Sequence, residues 1–347
     1  MRVVVTGASG NVGSAVVDRL VATGADVVGV CRREHEWRPA RTEWVFADVA
    51  TADLASVFTG ADAVVHLAWL FQPTRRPEVT WRSNVEGSRR VLEAVGRAGA
   101  PTVVVASSVG VYSPREGLDE VDETWPSHGV PVAAYSREKA YVERLLDVFE
   151  TEHPTVRVVR MRPAFIFQER AALEQRRLFL GPFVPHALVR PGRVPLLPLP
   201  ASFRLQAVHA RDVADAYVAA VTGSVRGPFN LASGPVLDPQ GLARLMRSRW
   251  VPTPARLVRR GLSAAFRARL TPAAPELFDL AMSIPMMDSG RAHRELGWSP
   301  RYSSEETLQS FFDGLERSPD ITTPPLAPST SGPARRHEVA TGVGTRP

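Results

Sequence analysis

The chain has 347 residues, of which 44% are apolar and 22% charged, and its formal net charge is +6. This is the composition of a globular protein with one large α/β unit or two domains that share a core, and it excludes a chain that is disordered throughout. The single cysteine, Cys31, permits no internal disulfide, and no run approaches the roughly 18 apolar residues of a membrane span. We therefore expect a cytoplasmic protein.

The basic residues are numerous but spread along the chain. Lys and Arg together number 42, while aromatic residues make up only 7%, so we expect no nucleic-acid partner. All but one of these cations are arginine, and the exception is Lys139. Because a compact ammonium and a planar guanidinium are not interchangeable, this count indicates a position that requires lysine.

Strands and helices alternate through the first half of the chain. Short apolar runs predict strands at Val3–Val5, Val27–Val30, Trp44–Phe46, Ala63–Leu67, Thr102–Ala106 and Val156–Met161. Helical spacing of apolar residues predicts helices at 12–21, 52–58, 82–98 and 135–150. Near-continuous apolar strands that alternate with helices are typical of a parallel sheet buried on both faces.

The second half follows a different pattern. Residues 168–205 mix Arg, Pro and Leu without clear periodicity, which suits a loop-rich cap over a ligand, and 238–317 is mainly helical. Two short strands, Leu205–Val208 and Pro228–Leu231, flank a helix at Asp212–Val221.

Residues 318–347 contain six prolines and almost no large apolar side chains, which predicts a disordered tail. The remaining residues divide into a core and a smaller, mainly helical substrate-binding domain. The core is 1–165, to which 205–232 returns, and the smaller domain is 166–204 with 233–317.

A glycine-rich turn follows the first strand. In the run Thr6–Gly13, glycines let backbone N–H groups approach a pyrophosphate, and the N-terminus of the next helix adds its positive end. The turn predicts dinucleotide binding by Gly7, Ser9, Gly10, Asn11, Val12 and Gly13.

The second strand ends in Cys31, Arg32 and Arg33, without the carboxylate that grips the ribose hydroxyls in an NAD-selective site. The two guanidiniums either pair with the 2′-phosphate of NADP or are solvated surface charges. We favour NADP over NAD as the cofactor. Asp48, after the third strand, is either a contact for the adenine edge or a turn aspartate.

Tyr135 and Lys139 open a predicted helix, one turn apart on the same face. A phenol with a pKa of about 10 is a poor base at neutral pH, but a cation about 4 Å away is worth roughly 4 kcal/mol, or about 3 pKa units, at an effective dielectric of about 20. We therefore expect Lys139 to lower the pKa of Tyr135 into a range suited to proton exchange with a carbinol. Ser108, after the fifth strand, is either a donor to a carbonyl oxygen or a helix cap.

Together these features resemble an extended short-chain dehydrogenase/reductase of the NAD-dependent epimerase/dehydratase family, over residues 1 to about 315. The further motifs that carry the resemblance are His66-Leu67-Ala68, Asn84-Val85-Glu86-Gly87, Arg162-Pro163, Val208–Ala214, Phe229-Asn230-Leu231 and Leu296–Pro300. The resemblance implies a Rossmann-type doubly wound sheet and the catalytic triad Ser108, Tyr135 and Lys139. The candidate cofactor contacts, besides the turn, Arg32, Arg33 and Asp48, are Val49, Leu67, Ala68, Asn84, Ser107, Tyr135, Lys139 and Pro163.

The chain also departs from the family pattern. Nucleotide-sugar dehydratases carry an Asp-Glu pair after the catalytic hydroxyl, where this chain has Val109-Gly110, so we expect no dehydration. An NADP preference favours a reductase or dehydrogenase over a nucleotide-sugar epimerase, which stays the alternative. A non-catalytic NADP-binding sensor is a second alternative. Arg204 is either a residue for an anionic substrate or a surface charge.

The Arg-rich segment Val251–Thr271 contains five arginines and no acid. We interpret it as a helix that covers the smaller domain rather than one that lies on an anionic membrane. We expect a small-molecule substrate and no metal site, and the resemblance implies a homodimer.

Overall fold

The computed structural model describes residues 1–71, 75–181, 184, 188–317 and 323–326. The strands are β1 Arg2–Thr6, β2 Asp26–Cys31, β3 Thr42–Phe46, β4 Ala63–His66, β5 Thr102–Ala106, β6 Glu120–Val121, β7 Arg157–Pro163, β8 Phe165–Phe167, β9 Leu196–Leu199, β10 Ala207–His209, β11 Gly227–Leu231, β12 Arg249–Pro252 and β13 Met286–Met287.

The α-helices are α1 Asn11–Ala22, α2 Ala55–Phe58, α3 Pro77–Trp81, α4 Gly87–Ala98, α5 Ala134–Glu152, α6 Ala172–Leu180, α7 Ala210–Thr222, α8 Pro239–Leu245, α9 Ala255–Arg267, α10 Pro275–Ser283, α11 Gly290–Leu296 and α12 Ser304–Arg317. A π-helical turn, Arg82–Glu86, joins α3 to α4, and single 3₁₀ turns lie at Val109–Val111 and Glu169–Ala171.

Seven parallel strands form the large sheet in the order β11-β7-β5-β4-β1-β2-β3. The order reverses between β1 and β4, which is where ligands of such sheets bind, at the carboxyl ends of the strands. The predicted α/β fold with a Rossmann-type doubly wound parallel sheet is confirmed.

Helices cover both faces of this sheet, as the apolar strands require. On one face α1 and α7 pack with Val3 and Val5 of β1, and on the other α4 and α5 pack with Val4. Each face therefore buries its own apolar cluster, and successive valines of one strand belong to different clusters because side chains alternate along a strand. This arrangement fixes the strand ends that carry the site.

The second half of the chain differs from its prediction in two places. The region 168–205, expected to be loop-rich, contains α6 and β9. The buried face of α6 includes Arg176 and Arg177, and Arg176 donates hydrogen bonds to the carbonyls of Gly181 and Val184, so the helix lacks the apolar periodicity that would reveal it. In the region expected to return to the core, β11 joins the large sheet, whereas β10 pairs with β8 outside it.

Helix α9, in the Arg-rich segment, packs against α10 without any fully buried residue. Arg259 of α9 pairs with Asp279 of α10 at 2.8 Å. Among the described residues, no helix is both long and apolar enough to span a membrane. The predicted disordered tail, 318–347, lies outside the described residues except for 323–326, where Leu326 is buried.

Candidate active site at the carboxyl edge of the sheet

A cavity of about 430 Å³ lies at the carboxyl ends of β1, β2, β4 and β5. It is lined by every residue that the sequence indicated as a catalytic or cofactor-binding candidate. Side chains from α5, α6 and α10 close its other side. The topology thus brings residues from distant parts of the chain to the point where the strand order reverses.

The glycine turn leaves no room for side chains at two positions. Gly7 has φ +70°, and a Cβ on it would lie 2.7 Å from the backbone nitrogen of Ala68. A Cβ on Gly13 would lie 2.1 Å from the carbonyl oxygen of Gly7. The turn therefore presses directly against the segment after β4 and against the start of α1, with backbone rather than side chains facing the cavity, which fits a dinucleotide pyrophosphate.

The end of β2 presents cations to the same cavity. Arg32 is exposed, Arg33 is half-buried, and both line the cavity. Cys31, the last residue of β2, is buried, and burial raises the pKa of its thiol. One carboxylate oxygen of Asp48 accepts a hydrogen bond from the backbone N–H of Ala50 at 2.9 Å. Asp48 therefore stabilises the turn after β3, as one of its two interpretations expects, and it also lines the cavity.

Lys139 is buried on α5, between the end of β5 and the segment after β4. Its Nζ donates a hydrogen bond of 2.6 Å to the carbonyl oxygen of Ala106 and lies 3.4 Å from the centroid of the Trp69 ring. Burial lowers the pKa of Lys139 to about 7, against the opposing charges of Glu138 and Glu143. The ammonium is thus held by a carbonyl dipole and an aromatic face.

The phenol of Tyr135 does not have the lowered pKa that the sequence predicted. Burial raises the pKa of Tyr135 to about 12, a hydrogen bond with Ser108 opposes the rise, and the charge of Glu138 adds to it. Lys139 is not among the groups that shift this pKa. The prediction from spacing was wrong because it counted the attraction of a nearby cation and not the cost of removing the phenolate from water.

Ser108 serves both as a cap and as a partner of Tyr135. Its Oγ accepts a hydrogen bond of 3.0 Å from the backbone N–H of Gly110 at the start of a 3₁₀ turn, and its hydroxyl is hydrogen-bonded to Tyr135. A Cβ on Gly110 would lie 2.9 Å from Cε1 of Tyr135. The Val109-Gly110 pair that departs from the dehydratase pattern therefore leaves the space in which the phenol ring lies.

Asn84 and Glu138 form a buried pair whose partnership sequence reasoning missed. The Asn84 Nδ2 donates to the Glu138 carboxylate at 2.7 Å and to the Leu70 carbonyl at 2.9 Å, while its Oδ1 accepts from the Leu70 N–H at 2.7 Å. Thr80 donates a second hydrogen bond to Glu138 at 2.6 Å. Asn84 lines the cavity as expected, but its amide fastens the segment after β4 to α5. The only signal was the position of Glu138 directly before Lys139.

Glu143, one turn after Lys139, ties α5 to β7. Arg162 donates two hydrogen bonds to its carboxylate, one of them at 2.8 Å, and Ser107 donates a third. These partners hold the pKa of Glu143 below its usual value despite its burial. The ion pair of Glu143 with Arg162 explains the arginine of the Arg162-Pro163 motif, which supports the cavity from beneath.

His66, from another motif of the sequence, joins β4 to β1 and α4. Its Nδ1 lies 2.7 Å from the Thr6 hydroxyl and its Nε2 lies 2.9 Å from the Ser88 hydroxyl. Burial lowers the pKa of His66 to about 3, so the ring is neutral at physiological pH. Its role is structural.

Arg204 does not line the cavity. Its guanidinium donates to the carbonyl oxygens of Ala201 at 2.8 Å and Phe203 at 2.7 Å. Of the two roles weighed for it, the one for an anionic substrate in this cavity has no support. The side of the cavity opposite the glycine turn is instead lined by aromatic and aliphatic residues that the sequence did not reveal, among them Trp69, Phe71 and Phe179.

The model of the NAD dependent epimerase/dehydratase family matches residues 3–232. The first curated relatives that the chain matches are uncharacterised mycobacterial proteins. One from Mycobacterium tuberculosis is 29% identical over 314 residues, which are 90% of this chain and 30% of that protein. The chain thus spans less than a third of the length of these relatives.

Other matches carry the name of an activity. The UDP-glucose 4-epimerase of Mycolicibacterium smegmatis is 28% identical over 324 residues, 89% of this chain and 96% of that protein. The 4-hydroxy-2-methyl-3-oxo-4-farnesyl-3,4-dihydroquinoline-1-oxide ketoreductase of Stigmatella aurantiaca is 30% identical over 171 residues, 48% of this chain and 51% of that protein. A solved UDP-glucose 4-epimerase from Stenotrophomonas maltophila, with bound NAD and formylated UDP-arabinopyranose, has a TM-score of 0.70 at 21% identity, over 92% of this chain and 98% of that one. This last likeness concerns the fold.

Proposed function

This chain belongs to the NAD dependent epimerase/dehydratase family, and from that premise we propose that it is an NAD(P)-dependent oxidoreductase that acts at a carbinol or carbonyl carbon. The observation that carries the proposal is a single cavity in which Ser108, Tyr135 and Lys139 share the lining with the glycine turn. Hydride transfer to a carbonyl carbon needs a proton donor beside the hydride carrier, and this cavity offers a place for both.

The glycine turn and the ends of β2 and β4 would hold the dinucleotide. Gly7 and Gly13 allow the close backbone approach that a pyrophosphate requires, and Asp48 and Val49 lie in the lining for the adenine end. Leu67, Ala68, Asn84, Ser107 and Pro163 line the rest of this side. When bound, the nicotinamide supplies or accepts the hydride.

Tyr135 supplies the proton. Because burial keeps the pKa of its phenol at about 12, the group is protonated at neutral pH and suits the role of acid in a reduction. The Ser108 hydroxyl, hydrogen-bonded to Tyr135, is placed to donate to the same carbonyl oxygen and to stabilise the charge that develops on it. The Lys139 ammonium adds positive charge to this side of the cavity.

The cofactor we propose is NADP in preference to NAD. Cys31, Arg32 and Arg33 form the cavity lining at the end of β2, where NAD-selective sites carry an acid. A guanidinium pairs well with a 2′-phosphate. The solved UDP-glucose 4-epimerase from Stenotrophomonas maltophila holds NAD, so the NADP preference rests on these residues of the chain itself.

The test is an assay of NADPH and NADH oxidation with a panel of ketones, aldehydes and keto-sugars, beside an epimerisation assay on nucleotide sugars. We expect NADPH to be consumed in equal amount to the alcohol formed. Tyr135→Phe is expected to lower kcat/KM by about 10² to 10⁴ because a positioned acid contributes that much. Tyr141→Phe, an exposed tyrosine on the same helix, is the matched control and leaves kcat/KM unchanged.

Two results would replace the proposal. Epimerised product without net cofactor consumption would make the protein a nucleotide-sugar epimerase, the alternative that the UDP-glucose 4-epimerase matches favour. Cofactor binding without any turnover, together with cofactor affinity of Tyr135→Phe equal to that of wild type, would make it a sensor.

The homodimer implied by the resemblance stays a prediction, which light scattering on the purified protein checks.

A further inference from the structure

The side of the cavity that faces away from the glycine turn has the chemistry of an apolar binding site. We propose that the substrate is a largely apolar ketone or carbinol, with a hydrocarbon body as large as a medium-length chain or a fused ring, and not a nucleotide sugar. The proposal rests on the proposed function, whose reacting groups it places at one end of this apolar space.

Aromatic rings lead from the catalytic phenol into the cap. The Tyr135 ring lies 5.9 Å from the Trp69 ring and 5.3 Å from the Phe71 ring, measured between centroids. Phe71 lies at the same distance, 5.3 Å, from Phe179 of α6. A compound with its carbonyl at Tyr135 therefore meets hydrocarbon surface from the reacting carbon outward.

Helix α10 supplies the aliphatic part of the same lining. Leu277, Leu280 and Ala281 of this helix, with Ile284 just after it, line the cavity. Leu280 and Ile284 are buried in the cluster that includes residues of β1 and α7, so this wall is fixed by the core and not by a mobile surface side chain. Burial of each additional methylene against such a wall favours binding by roughly the same increment.

The charges in the lining argue against a diphosphate on this side. Among the described residues that line the cavity, the cations are Arg32, Arg33 and Lys139. The two arginines lie at the end of β2, on the side of the glycine turn, while Lys139 donates to the carbonyl of Ala106. Glu174 of α6 adds a carboxylate to the cavity lining.

The stretches of sequence that follow Phe71 and Gly181 add no cation. The segments 72–74 and 182–187 include neither arginine nor lysine. Arg75 lies with its guanidinium 3.7 Å from the centroid of the Phe266 ring. A buried diphosphate without cations or other donors is strongly disfavoured, since its charge must leave water uncompensated.

Hydroxyls are among the polar groups that the lining offers to a substrate, beside the carboxylate of Glu174 and the amides of Asn84 and Gln175. Besides Ser108 and Tyr135, the lining includes Tyr217 of α7, which is 1% exposed. No described group forms a hydrogen bond with the Tyr217 hydroxyl, and its pKa is raised by burial and by the charge of Tyr135. One neutral hydroxyl of this kind suits a second oxygen on an otherwise apolar molecule.

The reaction balances with these groups. In the reduction, a bound reduced nicotinamide would supply the hydride for the new C–H bond at the carbonyl carbon, while Tyr135 gives its proton to the carbonyl oxygen and its phenolate regains a proton from solvent. The ketone is reduced to a carbinol and the dinucleotide is oxidised. No further reductant is needed.

The experiment uses the full chain with saturating NADPH and a series from butan-2-one to decan-2-one, with a UDP-linked 4-keto-hexose as the polar comparison. The carbonyl is the same throughout the ketone series, so only apolar surface changes. We expect kcat/KM to rise about threefold to fourfold per added methylene until the chain no longer fits.

A pair of variants tests the wall itself. Leu277→Gln is expected to lower kcat/KM for decan-2-one by about tenfold while that for butan-2-one changes less than about twofold, since the short ketone does not reach α10. Leu118→Gln makes the same chemical change at a residue that is 58% exposed and not in the cavity lining, and it should leave both values unchanged. Thermal unfolding of both variants checks that they fold.

A binding arm separates failure of this proposal from failure of the proposed function. Nile red is bound to the cavity and displaced by decan-2-one or by UDP-glucose. Displacement by decan-2-one alone, without turnover of any carbonyl, would support the apolar site and overturn the oxidoreductase. Turnover of the UDP-linked ketone with no gain along the ketone series would overturn the apolar site and leave the oxidoreductase standing. Stronger displacement by UDP-glucose, or displacement by neither compound, would also overturn the apolar site.

Discussion

Lys139 carries a positive charge at a site where burial works against it. Its side chain is 3% exposed, and its pKa of about 7 lies well below the usual value of a lysine. The Ala106 carbonyl and the Trp69 ring stabilise the ammonium, but they do not replace the water that it loses. The charged form of Lys139 is therefore less favourable than in a free lysine, and its charge responds to small changes in its surroundings.

This shift predicts a pH dependence of stability. Because the pKa of Lys139 is lower in the folded than in the unfolded chain, the unfolded chain binds more protons between about pH 7 and pH 10.5, and the free energy of unfolding gains a positive slope with pH there. Lys139→Met removes that contribution. Urea unfolding from pH 6 to pH 9.5 should show wild type gaining stability relative to Lys139→Met as the pH rises. A constant difference between the two would contradict the lowered pKa.

The residue scale also shows what sequence spacing can and cannot predict. The i, i+4 spacing of Tyr135 and Lys139 placed both in one cavity, because that inference depends only on helix geometry. The direction of the Tyr135 pKa was wrong, because it depends on burial and on the direction of the ammonium, which turns to Ala106 and Trp69. The burial of the phenol and the direction of the ammonium depend on tertiary packing, which the spacing of two residues in the sequence does not reveal.

At the scale of elements, the turn between β1 and α1 is the most constrained. Gly13→Ala places a Cβ 2.1 Å from the Gly7 carbonyl oxygen and 2.8 Å from Ala8, and both contacts are with backbone that cannot move aside. We expect a loss of about 3 kcal/mol in the free energy of unfolding and loss of dinucleotide binding. Chemical denaturation and titration of NADPH fluorescence measure the two effects.

Gly261→Ala is the matched control for this change. Gly261 also lies in a helix, α9, but a Cβ there meets nothing within 4 Å. The alanine should raise the free energy of unfolding by up to about 1 kcal/mol because it favours the helix. Equal effects of the two substitutions would show that propensity, and not the close approach in the turn, decides the cost at Gly13.

Elements with a local signal were predicted and those without one were not. Runs such as Val3–Val5 and Val27–Val30 are buried strands in the structure, because a parallel sheet covered on both faces tolerates little else. Helix α6 was missed because buried arginines interrupt its apolar face. The partnership of Asn84 with Glu138 was missed because it joins a π-helical turn to α5 across 54 positions of sequence.

At the scale of the whole molecule, one buried ion pair connects the two parts of the chain. Glu143 of α5 holds Arg162 of β7, which donates to the Tyr112 hydroxyl at 3.0 Å. Tyr112 in turn donates to Asn230 of β11 at 2.6 Å, and Asn230 donates to the carbonyl of Asp288 in the smaller domain. The support beneath the proposed catalytic residues therefore continues into the segment between α10 and α11.

Glu143→Gln leaves the Arg162 guanidinium buried without its countercharge, and we expect it to cost about 3 to 5 kcal/mol of the free energy of unfolding. Glu93→Gln is the control, since Glu93 pairs with Arg89 on the exposed face of α4 and such pairs contribute at most about 1 kcal/mol. Urea unfolding of both variants, of Arg162→Met and of the double variant Glu143→Gln with Arg162→Met makes the comparison. A double variant as unstable as the sum of its singles would show that the two groups are not coupled.

The apolar wall of the cavity belongs to this scale as well, and no stretch of sequence predicts it. Its residues come from the segment after β4, from α6 and from α10, which lie far apart along the chain. Each stretch by itself is ordinary, and only the fold brings Phe71, Phe179 and Leu280 around one space. The lining on the side of the glycine turn could be predicted because a single local turn defines it, whereas the apolar wall could not.

The rarity of lysine gives the cavity a chemical handle. The chain offers acylating reagents one ε-amine, that of Lys139, and at mildly alkaline pH its low pKa makes that amine an uncharged nucleophile. Because the side chain is 3% exposed and lines the cavity, a reagent must enter the cavity to reach it. The mass added at this single position therefore reports whether the cavity is open or filled, without any assay of turnover.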